Sequence, residues 1–407
     1  LQNECLFYIF ATLKTKTQIK MKKISLCSLM LLSLLFLKAQ INPTTSPFSQ
    51  NGSYTVVMDS VMTTTPDILI FRPSTPGPYP TVLFQPGANP SGSNAINKHS
   101  YDLYWQHLAS YGYVVIIMNN MQGGPNANIF KNMHNHIKTE VAAGGWWGQY
   151  IDLNKFIVAG HSNGGMNATD IIIDRPTEIH AIVYMASYPN PGMLGLMAQN
   201  VANYTGKVLL MCGDEDDTSA PLVGATNTVA KTAHDSRFTS ASCKSWVLFN
   251  GIGHGGFGDY DNANQPVGSI GRAATTASIR HMLVGFLNSQ FKSDALAFGG
   301  FNTAALRPNS VGEFQNTCTL VGTRIGVENS LEFNAYPNPF NNNITIEFNS
   351  SDNYLVRITD NQGRVVYSEN SANNNILNID VQFLTSGFYF MEVVGNNQKS
   401  ILKLIKH

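Results

Sequence analysis

A chain of 407 residues with 43% hydrophobic content is long enough for two or three domains and apolar enough to build cores, which excludes wholesale disorder. Lys and Arg total 26 and Asp and Glu total 26, so no electrostatic attraction to nucleic acid or to an anionic membrane is expected. The charged fraction of 13% is about half the ordinary ~25%, which leaves Asn, Ser, Thr and Gly to cover the surface, as in many proteins that work outside the cell.

The first element is an apolar stretch from Ile24 to Leu37, behind Met21-Lys22-Lys23 and ahead of Ala39-Gln40. It reads as a signal peptide over 21–39 and is shorter than the ~20 residues a transmembrane helix needs. Residues 1–20 precede a natural start and read as an upstream, non-native extension. Leu26 ahead of Cys27 is not the small residue a lipid-attachment site requires. With the leader removed, Cys212, Cys243 and Cys318 remain. Cys212 lies in an apolar run and packs as a small hydrophobe, which leaves Cys243 and Cys318 to pair in an oxidising compartment. No Cys or His pair occurs at zinc-ligand spacing, and neither a metal nor another cofactor is expected.

Residues 54–292 alternate apolar runs with helical patterns, as a doubly wound, mostly parallel α/β sheet requires. The runs are Tyr54–Val57, Ile68–Phe71, Thr81–Phe84, Val114–Met118, Phe156–Ala159, Ala181–Met185, Val208–Cys212 and Trp246–Phe249. Runs such as Val114–Met118 lack polar alternation, which suits strands buried on both faces. Helices are expected to begin near His99, Lys131, Asn163, Pro221 and Arg272.

Phe156–Ala159 leads into Gly160-His161-Ser162-Asn163-Gly164-Gly165 and then a helical pattern. Strand, Gly-x-Ser-x-Gly and helix in that order form a nucleophile elbow, the α/β-hydrolase signature, with Ser162 as the nucleophile. A serine needs an imidazole to take its proton and a carboxylate to orient that imidazole, in the chain order Ser, acid, His. His254 follows the last run in a Gly-rich loop and is the expected base. The other histidines read as structural or solvated.

The acid must come from Asp214-Glu215-Asp216-Asp217, after Val208–Cys212. Pro221 reads as a first helical residue, so Asp217, late in the loop, is the expected acid, with Asp214 and Asp216 as alternatives. The oxyanion donors are expected from the Asn163 N–H and from the loop Gln85-Pro86-Gly87-Ala88, where Ala88 N–H is the candidate.

Beyond Phe291 the pattern loosens, and from Leu331 short strands alternate with Asn-rich turns. The expected strands are Ile344–Phe348, Tyr354–Ile358, Val365–Ser368, Phe388–Val394 and Ile401–Ile405, a small all-β sandwich. The domains expected are a catalytic α/β domain over 41–325, a linker over 326–330 and a β-sandwich over 331–407.

Two resemblances follow. Ala335-Tyr336-Pro337-Asn338-Pro339-Phe340, Ile358–Arg364, Ser386-Gly387-Phe388-Tyr389 and the ending Lys403-Leu404-Ile405-Lys406 resemble the C-terminal sorting domain of the type IX secretion system of Bacteroidota, against the blander reading of a carbohydrate-binding or adhesive module. The resemblance implies export to the periplasm and then release or attachment at the cell surface, with the secretion machinery as partner. Residues 54–292 resemble the bacterial cutinase-like polyesterases, the dienelactone-hydrolase-related group that includes poly(ethylene terephthalate) hydrolases. The matching pieces are Gln85–Ala88, Asp152-Leu153-Asn154, Gly160–Gly165, Asp217-Thr218-Ser219-Ala220-Pro221 and Asn250–His254, and the fourth of these favours Asp217.

The second resemblance implies a monomeric serine esterase acting on polymeric or small esters in an open cleft, with Ala88, His161, Tyr188 and Ser219 contacting substrate. Ala88 replaces a usual aromatic, Ser219 a usual Ile or Val, and Tyr188 a usual Trp, which predicts slow action on aromatic polyesters. Another secreted α/β-hydrolase, such as a lipase or polysaccharide-ester esterase, and a non-catalytic surface binding protein are the alternatives.

Overall fold

The structure is a computed structural model. It describes residues 41–406 except 63, 65, 90–95, 120–127, 193–196, 219–223, 261–263, 321–330, 332, 361–363 and 396–397. The expected leader and extension lie outside the described residues. The chain divides into two compact units, residues 1–320 and 321–407.

In the first unit the apolar runs form β1 (Val56–Val61), β2 (Ile68–Pro73), β3 (Tyr79–Gln85), β4 (Val114–Met118), β5 (Ile151–His161), β6 (Ala181–Met185), β7 (Lys207–Gly213) and β8 (Cys243–Phe249). With β9 (Val311–Asn316) they make one sheet in the order β1-β2-β4-β3-β5-β6-β7-β8-β9. The strands from β4 to β8 are parallel neighbours. At the two edges β1, β2 and β9 pair antiparallel.

Among the described residues the α-helices are α1 (Asp102–Ser110), α2 (Ile129–Ala143), α3 (Asn163–Asp174), α4 (Thr226–Ser236), α5 (Gly271–Phe291) and α6 (Ala295–Asn302). Because successive side chains of a strand point to opposite faces, each run feeds two cores at once. Phe84, Val115 and Val183 pack with Tyr104 and Leu108 of α1 and Met282 and Phe286 of α5. Leu83, Ile116 and Ile182 pack on the other face with Phe130 of α2, Ile171 of α3 and Ala233 of α4. Every position of β4 and of β6 is buried, so runs without alternation are the ones covered on both faces. Each buried Val, Leu, Ile or Phe contributes about 1.5–3 kcal/mol.

β9 and α6 were not expected. β9 carries only Val311 and Phe314 as large apolar residues, and as an edge strand it needs few. It is tied back by a disulfide between Cys243, at the start of β8, and Cys318, just past β9, with the sulfurs 2.08 Å apart. Cys212 is a buried free thiol. Asp294 caps α6, accepting from the N–H groups of Leu296 and Ala297.

The second unit is all-β and antiparallel. β10 (Phe333–Tyr336), β11 (Asn343–Phe348) and β14 (Ile376–Asp380) form one sheet, and β13 (Val365–Asn370), β12 (Leu355–Thr359), β15 (Gly387–Gly395) and β16 (Gln398–Lys406) form the other. Here polar and apolar residues alternate: Ile344, Ile346 and Phe348 from one sheet and Val356, Ile358, Met391 and Val393 from the other meet in one core. β10 and β14 are the two strands the sequence reading lacked, both short and interrupted by Asn.

Candidate active site

β5 delivers Ser162 to the carboxyl end of the sheet. Its backbone sits at φ 52° and ψ −125°, a region that costs a non-glycine residue about 1–3 kcal/mol. The surroundings hold it there. Ser162 N–H donates to Met185 O at 3.1 Å, while Ser187 Oγ and Gly165 N–H donate to Ser162 O at 2.5 and 3.0 Å. The glycines of the motif answer to close packing: a Cβ at Gly160 would fall on the backbone of Gly164 and Gly165, and one at Gly164 on Gln85 O.

His254 opens a short helical turn after β8 and is 3% exposed. The loop that carries it is clamped from both sides. Gly253 N–H donates to Val267 O, and the Arg272 guanidinium donates to the carbonyls of Gly255, Gly258 and Tyr260. His254 Nδ1 lies 2.8 Å from Asp216 Oδ2, and the Asp216 side chain is fully buried. The other carboxylate oxygen of Asp216 accepts from Thr218 N–H at 3.1 Å and Thr226 Oγ1 at 3.0 Å. With its acceptor sites filled this way, the carboxylate is locked facing the imidazole.

The expectation of Asp217 is therefore corrected: Asp217 is exposed, and its neighbour Asp216 meets the histidine. Pro221, expected to open a helix, lies outside the described residues. Thr226, the first residue of α4, holds Asp216. Asp214 has a different task, accepting the Gly251 N–H at 2.6 Å and so joining the β7 loop to the β8 loop. Glu215 likewise accepts from Ser269 N–H and Oγ.

With the Nδ1 proton directed to Asp216, the lone pair of the neutral imidazole is on Nε2. That atom is buried and has no hydrogen-bond partner among the described residues. A base nitrogen oriented by a carboxylate and left unsatisfied is able to take up a proton. It belongs to the ring beside the elbow, because the His161 and His254 ring centroids are 4.6 Å apart and His161 precedes Ser162 directly.

The loop after β3 runs against the same elbow. A Cβ at Gly87 would stand 3.3 Å from Ser162 Cβ and 2.9 Å from His161 Nδ1. Ala88 N–H, next along this loop, and Asn163 N–H, next after the serine, have no acceptor among the described residues. Two unused amides flanking one serine suit a developing oxyanion.

The expected substrate contacts divide differently. Ala88 is exposed, whereas His161 is 0% and Tyr188 1% exposed, so those two side chains present no open surface to a substrate. Each is consumed by packing: Tyr188 in the core under α3 and α4, and His161 against Tyr101, His254 and Phe257. Burial, reinforced by the neighbouring His254, pushes the His161 pKa well below the usual histidine range, so the ring is neutral. Ser219 lies outside the described residues. Among the described residues no group of three His, Cys, Asp or Glu is arranged to hold a metal ion. Tyr101, Thr226 and Arg272 had no sequence signal, since nothing local marks a residue whose partner lies tens of positions away.

Comparison with family models matches residues 81–269 to the alpha/beta hydrolase family and residues 334–407 to the secretion system C-terminal sorting domain. No curated protein matches the chain. The first match spans Ser162, Asp216, His254 and both free amides. The chain thus carries an α/β-hydrolase domain followed by a type IX sorting domain, which makes it a secreted or cell-surface protein. Among the described residues no helix is long and apolar enough to cross a membrane.

Proposed function

We propose that this α/β-hydrolase with its sorting domain is a secreted serine carboxylesterase of cutinase or polyesterase type, acting through Ser162, His254 and Asp216. The observation that carries the reading is the buried His254, with Nδ1 on a carboxylate, Nε2 without a partner among the described residues, and its ring against His161, the residue before the strained serine.

In the reaction Ser162 Oγ attacks the ester carbonyl as His254 Nε2 takes its proton, and Asp216 stabilises the imidazolium so formed. The carbonyl oxygen, now negative, lies between the Ala88 and Asn163 amides. Collapse of the tetrahedral species breaks the bond to the alcohol oxygen, which leaves with the proton from His254. A water then attacks the acyl-serine, giving its proton to His254, and the same steps in reverse release the acid and restore Ser162. The absence of an aromatic at Ala88 favours aliphatic over aromatic acyl groups, because ring-on-ring contact worth about 1 kcal/mol is missing there.

The test is turnover of p-nitrophenyl butyrate, followed by product analysis on polycaprolactone, cutin, amorphous poly(ethylene terephthalate) and acetylated xylan. Fast release from the first two and slow release of terephthalate products is the expected order. Hydrolysis of the xylan acetates alone would favour a polysaccharide-ester esterase, and no turnover of any ester would refute the reading.

A further inference from the structure

Tyr101 stands immediately before α1 and is completely buried. Its hydroxyl oxygen accepts the Gly87 N–H at 3.0 Å and lies 2.8 Å from His161 Nδ1. A phenol carries one proton. The amide of Gly87 is itself a donor, and of the two remaining polar neighbours, His161 Nδ1 at 2.8 Å and the Tyr260 hydroxyl, the imidazole is the one at hydrogen-bond distance, so the hydroxyl proton is directed to Nδ1 and His161 keeps its own proton on Nε2. The ring that presents this hydroxyl is fixed edge-on against Phe84 of β3, with centroids 4.7 Å apart.

The two partners are adjacent in sequence to the reacting groups. Gly87 precedes Ala88, whose amide is one oxyanion donor, and His161 precedes Ser162, the nucleophile. We propose that Tyr101 is the positioning residue that sets the oxyanion hole: one buried hydroxyl joins the β3 loop to the elbow and so fixes the Ala88 amide relative to Ser162. The inference rests on the serine esterase reading. Tyr101 and His161 touch no substrate, and they act through the amide and the serine that follow their partners. Donors that are in place before the negative charge develops stabilise the transition state without reorganising, whereas displacements of about 1 Å cost on the order of a hundredfold in rate.

Tyr101→Phe removes only the oxygen and keeps the packed ring. On p-nitrophenyl butyrate its kcat is expected to fall by about tenfold to a hundredfold with KM unchanged within about threefold, because the lost interaction is felt mainly in the transition state. The inhibition constant of butylboronic acid, whose adduct with the serine is tetrahedral, should rise with the fall in kcat. Tyr204→Phe is the control for a merely structural effect, since Tyr204 is also buried and its hydroxyl donates to Ile179 O at 3.0 Å, within the other core. It should lower thermal stability and leave kcat within about twofold.

His161→Asn offers an oxygen near the place of Nδ1 and should retain most of the activity. His161→Leu should reproduce the loss in Tyr101→Phe, and the double variant should be no worse than either single one. The His161 pair carries the test even where Tyr101→Phe does not fold. An active wild type with unchanged kcat in Tyr101→Phe, a loss confined to KM, or an equal loss in Tyr204→Phe overturns the positioning role alone. A wild type that hydrolyses no ester overturns the esterase reading with it.

Discussion

The two units of this chain solve the burial problem in opposite ways. In the first, β4 and β6 are buried at every position, and helices cover both faces of the sheet. In the second, β14 alternates exposed and buried residues without a helix anywhere among its described residues. A strand closed on both faces has no room for polar groups along its length, so in the first unit they gather where strands end and loops leave. Ser162, Asp216 and His254 all lie there, and the Asp216 and His254 side chains are withdrawn from water. The alternating unit needs no such arrangement, since every second side chain already faces solvent. Buried histidines and carboxylates therefore gather in the first unit, whereas the buried ionisable side chains among the described residues of the second are Lys406 and two tyrosines, Tyr354 and Tyr389.

The largest test of that contrast separates two adjacent carboxylates. Asp216→Asn should lower kcat on p-nitrophenyl butyrate by about three to four orders of magnitude, the size expected when a triad acid loses its charge and the imidazole its tautomer. Asp217→Asn, at an exposed position, should stay within about threefold. Equal losses would mean that exposure does not distinguish the two.

Acid should next separate the units. Burial pushes His107 and His281 of the first unit down to about 4. A folded pKa below the unfolded ~6.5 means that the unfolded chain takes up protons that the folded chain refuses. Stability is therefore full above about pH 6.5 and falls as the pH drops toward 4, by about 2–3 kcal/mol for each of the two. Asp259, raised by burial to about 6, acts with the opposite sign, because the folded chain binds its proton more tightly. Burial lowers His134 to about 4 as well, so the histidines outweigh the one aspartate, and the midpoint of thermal inactivation should fall between pH 7 and pH 4.5. His107→Gln and His281→Gln should flatten that profile, and a profile unchanged in both would contradict it.

A smaller effect is expected from the disulfide, which closes a loop of 75 residues in the first unit, while the second holds no cysteine. Restricting the unfolded chain in this way stabilises by about 2–4 kcal/mol, so reduction or Cys243→Ser should lower the inactivation midpoint by about 5–10 °C. Two free thiols in peptide mapping without reduction would remove the bridge from consideration.

How much of this was legible in the sequence also differs between regions. The seven strands from β2 to β8 announce themselves as apolar runs bounded by turns, because burial on both faces demands hydrophobicity, whereas β1 has no buried position and shares only Val56 and Val57 with the expected run. Edge strand β9 and the Asn-broken β10 and β14 lack that signal. The glycines around Ser162 and the Gly-rich loop bearing His254 are local marks of tight turns, and both could be read. Asp216 could not be told from Asp217, since the choice is made by Thr226, 10 residues further along the chain. The partner of His161 was equally hidden, because Tyr101 is 60 residues away.

The most direct test of the triad is labelling with a serine-directed fluorophosphonate, read by intact mass and peptide mapping. The expected result is one adduct, on Ser162, formed at the wild-type rate in Asp217→Asn, far more slowly in Asp216→Asn and not at all in Ser162→Ala. An adduct on another serine, or an active enzyme that Ser162→Ala leaves fully active and labelled, would contradict it.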